Sequence, residues 1–400
     1  MATIHDYLRW RGDLTFEERP FNDVDNLVLS ALAYLDFTDI APTEEQGGQV
    51  FVRDACARLL ERAGNDLAPF VRSLAKIDEE FVRLLMTSIR FGTGRLHSYE
   101  DVVNKQHALQ FAAMQVGLPG AGTYVAFRGT DNTIVGWREN FMLSFAVTEA
   151  QHEAARYLRR ALGHLVQSGD RDVEHDATCH EQDIYVGGHS KGGTLAEFAA
   201  RSCTNAELAR ITRVYSNDGP SMAEEVMGTQ TEAAHATLGN KLRRIVPTYS
   251  VVGMLFARSD EPRIVVPSSE NGIAQHDLTT WQVTRDTVMT VPELQRDCRV
   301  LNQVISRWMR EIPLEERAQV TKQIFDALEA GGATSLDQIV SSPENLQHVL
   351  HALGKADDKA REVALSLIQC AVDSSVEAVR TAARRILAKG VISLATLPRH

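Results

Sequence analysis

Ile184-Tyr185-Val186-Gly187-Gly188-His189-Ser190-Lys191-Gly192-Gly193-Thr194-Leu195-Ala196 is the stretch that decides the fold. Asp183 to Gly187 reads as a short strand and Gly192 to Arg201 as a helix. Between them lies Gly188-His189-Ser190-Lys191-Gly192, a G-x-S-x-G pentapeptide. Three fixed residues of this kind arise by chance in about one chain in ten of this length, so the flanks carry the inference. Strand, turn and helix in that order put a serine on a strained turn, with its hydroxyl above the sheet edge. Glycines at 188 and 192 let strand and helix approach closely. The helix N-terminus supplies partial positive charge and free N–H groups where an oxyanion would form, that of Lys191 among them. The plain alternative is a glycine-rich turn whose Ser190 caps a helix.

Outward from this turn, strands and helices alternate. Glu149 to Gln167 reads as a helix with Ala154, Leu158, Ala161 and Leu165 on its apolar face. Ile211 to Ser216, Leu242 to Tyr249 and Pro262 to Pro267 read as strands, and Ala223 to Thr237 as a helical candidate. Such alternation predicts a mostly parallel sheet with crossover helices. Upstream, Gln106 to Leu118 and Thr123 to Arg128 read as a hairpin around Pro119-Gly120-Ala121-Gly122. Asp23 to Leu35 has helical spacing, with Asp25 or Asn26 as the cap, and Gln49 to Met86 reads as helices broken near Gly64. Past about Val291 the pattern is helical only: Leu294 to Arg310, Leu314 to Ala330, Leu336 to Leu353 and Lys359 to Lys389. The expected organisation is an α/β-hydrolase domain over 1–290, with an N-terminal helical segment (1–95) and a sheet core (96–290). A C-terminal helical appendage (291–400) follows, suited to capping the site, forming homo-oligomers or binding a partner.

A serine nucleophile needs a base, and in this architecture the chain order is nucleophile, acid, histidine. Downstream of Ser190, His235 falls within the helical candidate, His348 and His351 in the appendage, and His400 at the end. His276, in Gly272-Ile273-Ala274-Gln275-His276-Asp277, follows the last apolar strand in a polar loop, where the base belongs. The acid must accept a hydrogen bond from the imidazole and fix its tautomer. Asp218, in Tyr215-Ser216-Asn217-Asp218-Gly219-Pro220, stands at a strand's C-terminal end, the ligand-binding edge of an open α/β sheet. Asp-Gly-Pro is also an ordinary turn, and Asp260 and Asp277 are weaker candidates. The second oxyanion donor is expected from Thr130, after Val125-Ala126-Phe127-Arg128-Gly129.

Charge and cysteine usage narrow the partners. The net charge of −11 argues against nucleic acid or an anionic membrane as the main partner. No stretch approaches the ~18 apolar residues of a spanning helix. The N-terminal residues carry no basic head before an apolar core, so no secretory signal is expected. Five scattered cysteines (Cys56, Cys179, Cys203, Cys298, Cys370) without a C-x-x-C pair suit a reduced, cytoplasmic protein. His175, Cys179 and His180 cluster, but precede a strand with no partner ligands nearby, and no metal is expected. Without a Walker-type or dinucleotide-type glycine loop, no organic cofactor is expected either.

Several stretches together resemble known proteins. Val125-Ala126-Phe127-Arg128-Gly129-Thr130 and Val186-Gly187-Gly188-His189-Ser190-Lys191-Gly192-Gly193 resemble the oxyanion strand and nucleophile elbow of class 3 lipases. Tyr7-Leu8-Arg9-Trp10-Arg11-Gly12-Asp13, Phe21-Asn22-Asp23-Val24-Asp25-Asn26-Leu27, Val251-Val252-Gly253-Met254-Leu255 and Gln275-His276-Asp277 resemble blocks of the Mbeg1-like family of bacterial lipase-like proteins. The resemblance covers about residues 1–285. It implies an α/β-hydrolase fold with Ser190 and His276 in a Ser–His–acid site and Thr130 at the oxyanion. It also exposes a departure. Class 3 lipases carry the acid one strand later than Asp218, where this chain has Thr248-Tyr249-Ser250-Val251 and no carboxylate. An acid one strand earlier is the arrangement of animal pancreatic-type lipases.

The expected activity is hydrolysis of an ester or thioester, of a small acyl or lipid-like substrate, through an acyl-enzyme on Ser190. Phe141 to Val147 and Val251 to Ala257 are candidate acyl-pocket walls, or simply core. Two alternatives stay open: a non-catalytic binding protein that retains the fold, and an acyltransferase using the same residues.

Overall fold

The computed structural model describes residues 1–72, 76–104, 109–130, 134–169, 183–223, 226, 238–257, 261–296, 298–299, 311–334, 336–374 and 377–395. Eight strands form one sheet in strict chain order. They are β1 (Val50–Phe51), β2 (Arg95–Asn104), β3 (Leu109–Leu118), β4 (Gly122–Phe127), β5 (Ile184–His189), β6 (Ile211–Asn217), β7 (Leu242–Pro247) and β8 (Ile264–Val266). β1 to β4 pair antiparallel. β4 to β8 pair parallel, the half that carries the elbow. The fold is of the α/β-hydrolase class. The expected hairpin is present as β3–β4; β1 and β2, unread in the sequence, extend the sheet on its antiparallel side.

A parallel sheet that always steps the same way, with right-handed crossovers, puts its crossover helices on one face. Here α7 (Glu149–Gly169) and α8 (Lys191–Arg201) pack there, against Phe111, Ala113, Val125, Phe127, Val186 and Val214. The opposite face needs other cover. It comes from α1 (Ile4–Arg11), α2 (Asp23–Leu32), α3 (Val52–Ala63), α4 (Glu79–Thr87) and the single turn α5 (Ile89–Gly92), over Met114, Val116, Leu118, Tyr124 and Ala126. The two residue sets alternate along β3 and β4, as the two-residue period of a strand requires.

α2 starts one turn earlier than its apolar pattern suggests. Its cap is Asn22, whose side chain accepts from Val24 N and Asp25 N, whereas Asp25 closes a capping box onto the Asn22 N–H. Asn26 lies inside the helix. Leu242 to Tyr249 ends as a strand at Pro247.

Two further helices follow β4 and β5: α6 (Ile134–Phe145) and α9 (Asn205–Arg210). The C-terminal region holds α10 (Leu314–Leu328), α11 (Leu336–Ser341), α12 (Pro343–Leu353), α13 (Asp358–Ser374) and α14 (Glu377–Ala395). The expected single helix over 336–353 is broken at Ser342. Pro343 has no N–H to continue the ladder, and the Ser342 hydroxyl accepts from Asn345 N to start α12. Most of 294–310 and of 223–237, including His235, lies outside the described residues, as do Asp260 and the His175–His180 cluster.

The C-terminal helices share one apolar cluster with Ile134, Phe141 and Phe145 of α6 and with Val251, Val252 and Leu255 after β7. Phe141 meets Phe325 of α10 edge-on, with centroids 5.3 Å apart. Arg138 bonds Asp326, and Ile134 N donates to Thr334 O at 2.8 Å. Thus the stretches 141–147 and 251–257 are packed largely into this cluster. Among the described residues no helix is long and apolar enough to cross a membrane.

Candidate active site

The C-terminal ends of β4, β5, β6 and β7 bring Thr130, Ser190, Asp218 and Ser250 to one edge of the sheet. Ser190 has φ 56° and ψ −129°, a left-handed conformation costly for a residue with a Cβ. The turn is held by Ser190 N to Asn217 O (2.9 Å) and Gly193 N to Ser190 O (2.9 Å). A Cβ at Gly192 would lie 2.1 Å from Phe127 O, and one at Gly188 would lie 2.5 Å from the same oxygen. Only glycine allows β4, the elbow and α8 to pack this closely.

Beneath the elbow lies a buried amide pair. Asn26 Nδ2 donates to Asn217 Oδ1 (2.9 Å) and Asn217 Nδ2 to Asn26 Oδ1 (3.1 Å). Asn217 also donates to Gly188 O and to Ser30 Oγ, both at 3.0 Å, and Tyr124 donates to Asn26 Oδ1 at 2.8 Å. These groups are fully buried yet satisfied, which tells for a fixed backbone under the serine.

Asp218 follows Asn217 directly and is itself at φ 50°, its N–H donating to Ile245 O at 2.8 Å. One carboxylate oxygen, Oδ2, accepts from His276 Nδ1 at 2.6 Å. The other accepts from Ser250 Oγ (2.5 Å) and Gly253 N (3.2 Å). A carboxylate can only accept, so His276 carries a proton on Nδ1, and in the neutral ring Nε2 is then bare. His276 ends the 3-10 helix Gly272–His276, which is anchored through Gln275: its Oε1 accepts from Thr248 Oγ1 and Tyr249 N, and its backbone O from Trp281 Nε1, each at 2.8 Å. Asp277 faces elsewhere. It accepts from Lys76 N, Thr279 N and Thr279 Oγ1.

Ser190 Oγ, His276 Nε2 and Thr130 Oγ1 are buried polar atoms without a hydrogen-bond partner. Three such atoms at one sheet edge are costly in a folded protein and mark a place kept for something other than the fold. Gly129 closes on the elbow: a Cβ there would meet His189 O at 2.5 Å and Tyr34 Oη at 2.0 Å. That contact sets Thr130 beside the N-terminus of α8, where Lys191 is the first residue.

The structure thus bonds Asp218 to His276, sets the His276 ring against that of His189 next to Ser190, and brings Thr130 and Lys191 to the same edge of the sheet. Sequence reasoning passed over three neighbours. Ser250 and Gly253 hold the acid, and Ser250 stands where class 3 lipases carry theirs. His189 lay in view as an unassigned letter of the pentapeptide. Its ring centroid lies 4.6 Å from that of His276, the planes tilted by 37°, and burial, then the Coulomb interaction with His276, holds it well below the usual histidine range.

A family model described as Mbeg1-like matches residues 85–326, over half of the chain. The chain belongs to the Mbeg1-like family. The match begins after the N-terminal blocks and continues past β8 into α10. Among solved structures, the crystal structure of M37 lipase is similar at 13% identity and a TM-score of 0.34, with 85% of this chain and 97% of that chain covered. No curated protein matches the chain. A separate cleft of about 480 Å³, bordered by Asp36, Arg72, Asp101 and Arg128 among others, lies beside β4 and does not contain Ser190. Two of its three guanidinium groups are ion-paired, Arg72 with Asp36 and Arg128 with both oxygens of Asp101, and Arg62 donates to Thr38 O.

Proposed function

We propose that this Mbeg1-like protein is a serine hydrolase that cleaves a carboxylic ester or thioester of a small acyl or lipid-like substrate. One observation carries the reading. An Asp218–His276 bond leaves Nε2 of the neutral ring bare and buried, and the hydroxyl of the strained Ser190, next in the chain to the His189 ring that lies 4.6 Å from that of His276, is buried without a partner. Ser190 Oγ attacks the carbonyl carbon as Nε2 takes its proton. The oxyanion is met by the backbone N–H of Lys191 and by the N–H and hydroxyl of Thr130. The imidazolium, held against Asp218, returns the proton to the leaving group. Water then enters as the second nucleophile, by the same steps, and releases the acid.

The chain divides in this reading into a hydrolase body (1–290) and a helical appendage (291–400), fused through α6 and the 251–255 turn. The appendage packs against α6, the 251–255 turn and Ile273 of the loop that carries His276. Cys56 and Cys203 are buried free thiols and Cys298 donates its thiol to Ser250 O, in keeping with a reducing, cytoplasmic setting.

The test is labelling by a fluorophosphonate probe. Wild type takes one label, and Ser190→Ala takes none. An unlabelled wild-type protein would return the chain to the non-catalytic reading. With an activated ester and an added alcohol, free acid as the main product marks a hydrolase, and transfer to the alcohol an acyltransferase.

A further inference from the structure

We propose that Tyr34 and His189 are positioning residues, a strap from the end of α2 that fixes the backbone of His276 and so aims its ring at Ser190. The proposal rests on the serine-hydrolase reading of this site and names residues that reading does not use.

The geometry is specific. His189 Nε2 lies 2.7 Å from the backbone O of His276. A carbonyl only accepts, so Nε2 carries the proton and donates. His189 Nδ1 lies 2.8 Å from Tyr34 Oη. With Nε2 protonated and the ring neutral, Nδ1 is an acceptor, and Tyr34 donates to it. Burial raises the Tyr34 hydroxyl well above its ordinary value, so it keeps its proton. Both side chains are almost wholly buried. A single tautomer of His189 satisfies both of its ring nitrogens, the Tyr34 hydroxyl and the His276 carbonyl.

The strap couples three loops at once. Tyr34 Oη fills the space next to Gly129, ahead of the oxyanion residue. His189 directly precedes the nucleophile, and its second nitrogen holds the loop of the base. Asp218 fixes the His276 ring from the Nδ1 side. The strap fixes the main chain of the same residue from the elbow. Two anchors on one residue, from different elements, determine where Nε2 points. α2 supports the elbow along its length: Asn26 and Ser30 stand at i and i+4 on one face, and Tyr34 follows in the turn after Leu32.

The test compares His189→Gln, His189→Leu and Tyr34→Phe in the full chain. Gln offers an N–H to the His276 carbonyl, whereas Leu fills the volume without one. Two readouts are used: ester turnover, and the low-field proton signal of His276 Nδ1–H···Asp218 in the NMR spectrum. His189→Leu is expected to lower kcat about 10- to 100-fold with KM nearly unchanged, and to shift or broaden the low-field signal. His189→Gln recovers most of kcat and the wild-type signal, and Tyr34→Phe falls between. The proposal is overturned if His189→Leu keeps both kcat and the signal. It is equally overturned if His189→Gln loses as much as His189→Leu, since the donor would then not matter. If the signal responds as expected while wild type turns over no ester, the strap stands and the hydrolase reading fails.

Discussion

Asp218→Asn is the sharpest perturbation of the proposed mechanism, because the surroundings dictate how the new amide sits. In the native site Oδ1 accepts from Ser250 Oγ and from Gly253 N, and Oδ2 accepts from His276 Nδ1. A backbone N–H can only donate, so the amide oxygen of Asn is driven to the Gly253 side. Its NH₂ then faces His276 Nδ1. Two donors cannot share one hydrogen bond, so His276 shifts its proton to Nε2, the nitrogen that must be bare to accept from Ser190. The side chain keeps its volume and the buried pocket its shape. The loss falls on the tautomer and on the imidazolium, which no longer meets a carboxylate. For an acid in this role the cost in kcat is about 10³- to 10⁴-fold, or about 4–5.5 kcal/mol in the barrier. KM should change little, since Asp218 is fully buried behind the ring. The assay is initial-rate hydrolysis of a p-nitrophenyl ester, with the rate of fluorophosphonate labelling as a second measure. Asp277→Asn is the control: its carboxylate serves Lys76 N and Thr279, so kcat should stay within about tenfold of wild type. If Asp218→Asn keeps more than a tenth of wild-type kcat while Asp277→Asn loses more, the acid is assigned to the wrong strand.

Gly129→Ala should destabilise the fold by about 1–3 kcal/mol in urea unfolding, because its Cβ has only 2.0 Å to Tyr34 Oη; an unchanged midpoint would refute the close approach. Phe325→Ala removes a fully buried ring at the α6–α10 contact and should cost about 3–5 kcal/mol by the same measurement; a loss below about 1 kcal/mol would mean that α10 is not held there. The third concerns acid. His189 is neutral when folded, its proton affinity pushed well below the ordinary 6.5 by burial and then by His276, so below about pH 6.5 the unfolded chain binds one more proton than the folded one. Stability should therefore fall with falling pH by up to about 1.4 kcal/mol per unit from this residue. The slope should be shallower in His189→Gln by that amount, and identical slopes would contradict a neutral His189.

The elements found by reading were those whose signals are local. The elbow, the β3–β4 hairpin and the strands after it announce themselves within ten residues, through apolar runs and glycines. β2 does not. Arg95-Leu96-His97-Ser98-Tyr99-Glu100-Asp101 is mostly polar, and its pairing to β3 shifts register between His97 and Glu100, which breaks the two-residue alternation a reader looks for. The polar stripe of α2 was hidden for another reason. Asn26 and Tyr34 look like a cap and a core aromatic, and their partners Asn217 and His189 are distant in sequence, brought near only when α2 covers the sheet. The break before Pro343 was visible but was overridden by helical spacing on either side.

The acid was the least secure part of the site in the sequence, and the geometry explains why. Asp218 directly follows β6 and Ser250 follows β7, and their side chains meet at one hydrogen bond. β6 and β7 run parallel and adjacent, so residues just past their C-terminal ends reach the same space beside His276. A carboxylate launched from either strand can accept from Nδ1, provided the other strand supplies a small partner. Here β6 gives the acid and β7 gives a hydroxyl and the Gly253 N–H that orient it. The place of the acid along the chain is thus weakly fixed, whereas its place in space is strongly fixed. It follows that Ser250→Asp alone should not transfer the role. It would set two carboxylates against one imidazole, and one of them would have to take up a proton or move away. Ser250→Asp combined with Asp218→Ser restores a single carboxylate from β7, and more activity in the double variant than in either single one is the outcome the shared space requires. A double variant no better than Asp218→Ser alone would mean that β6 holds the acid for reasons of reach.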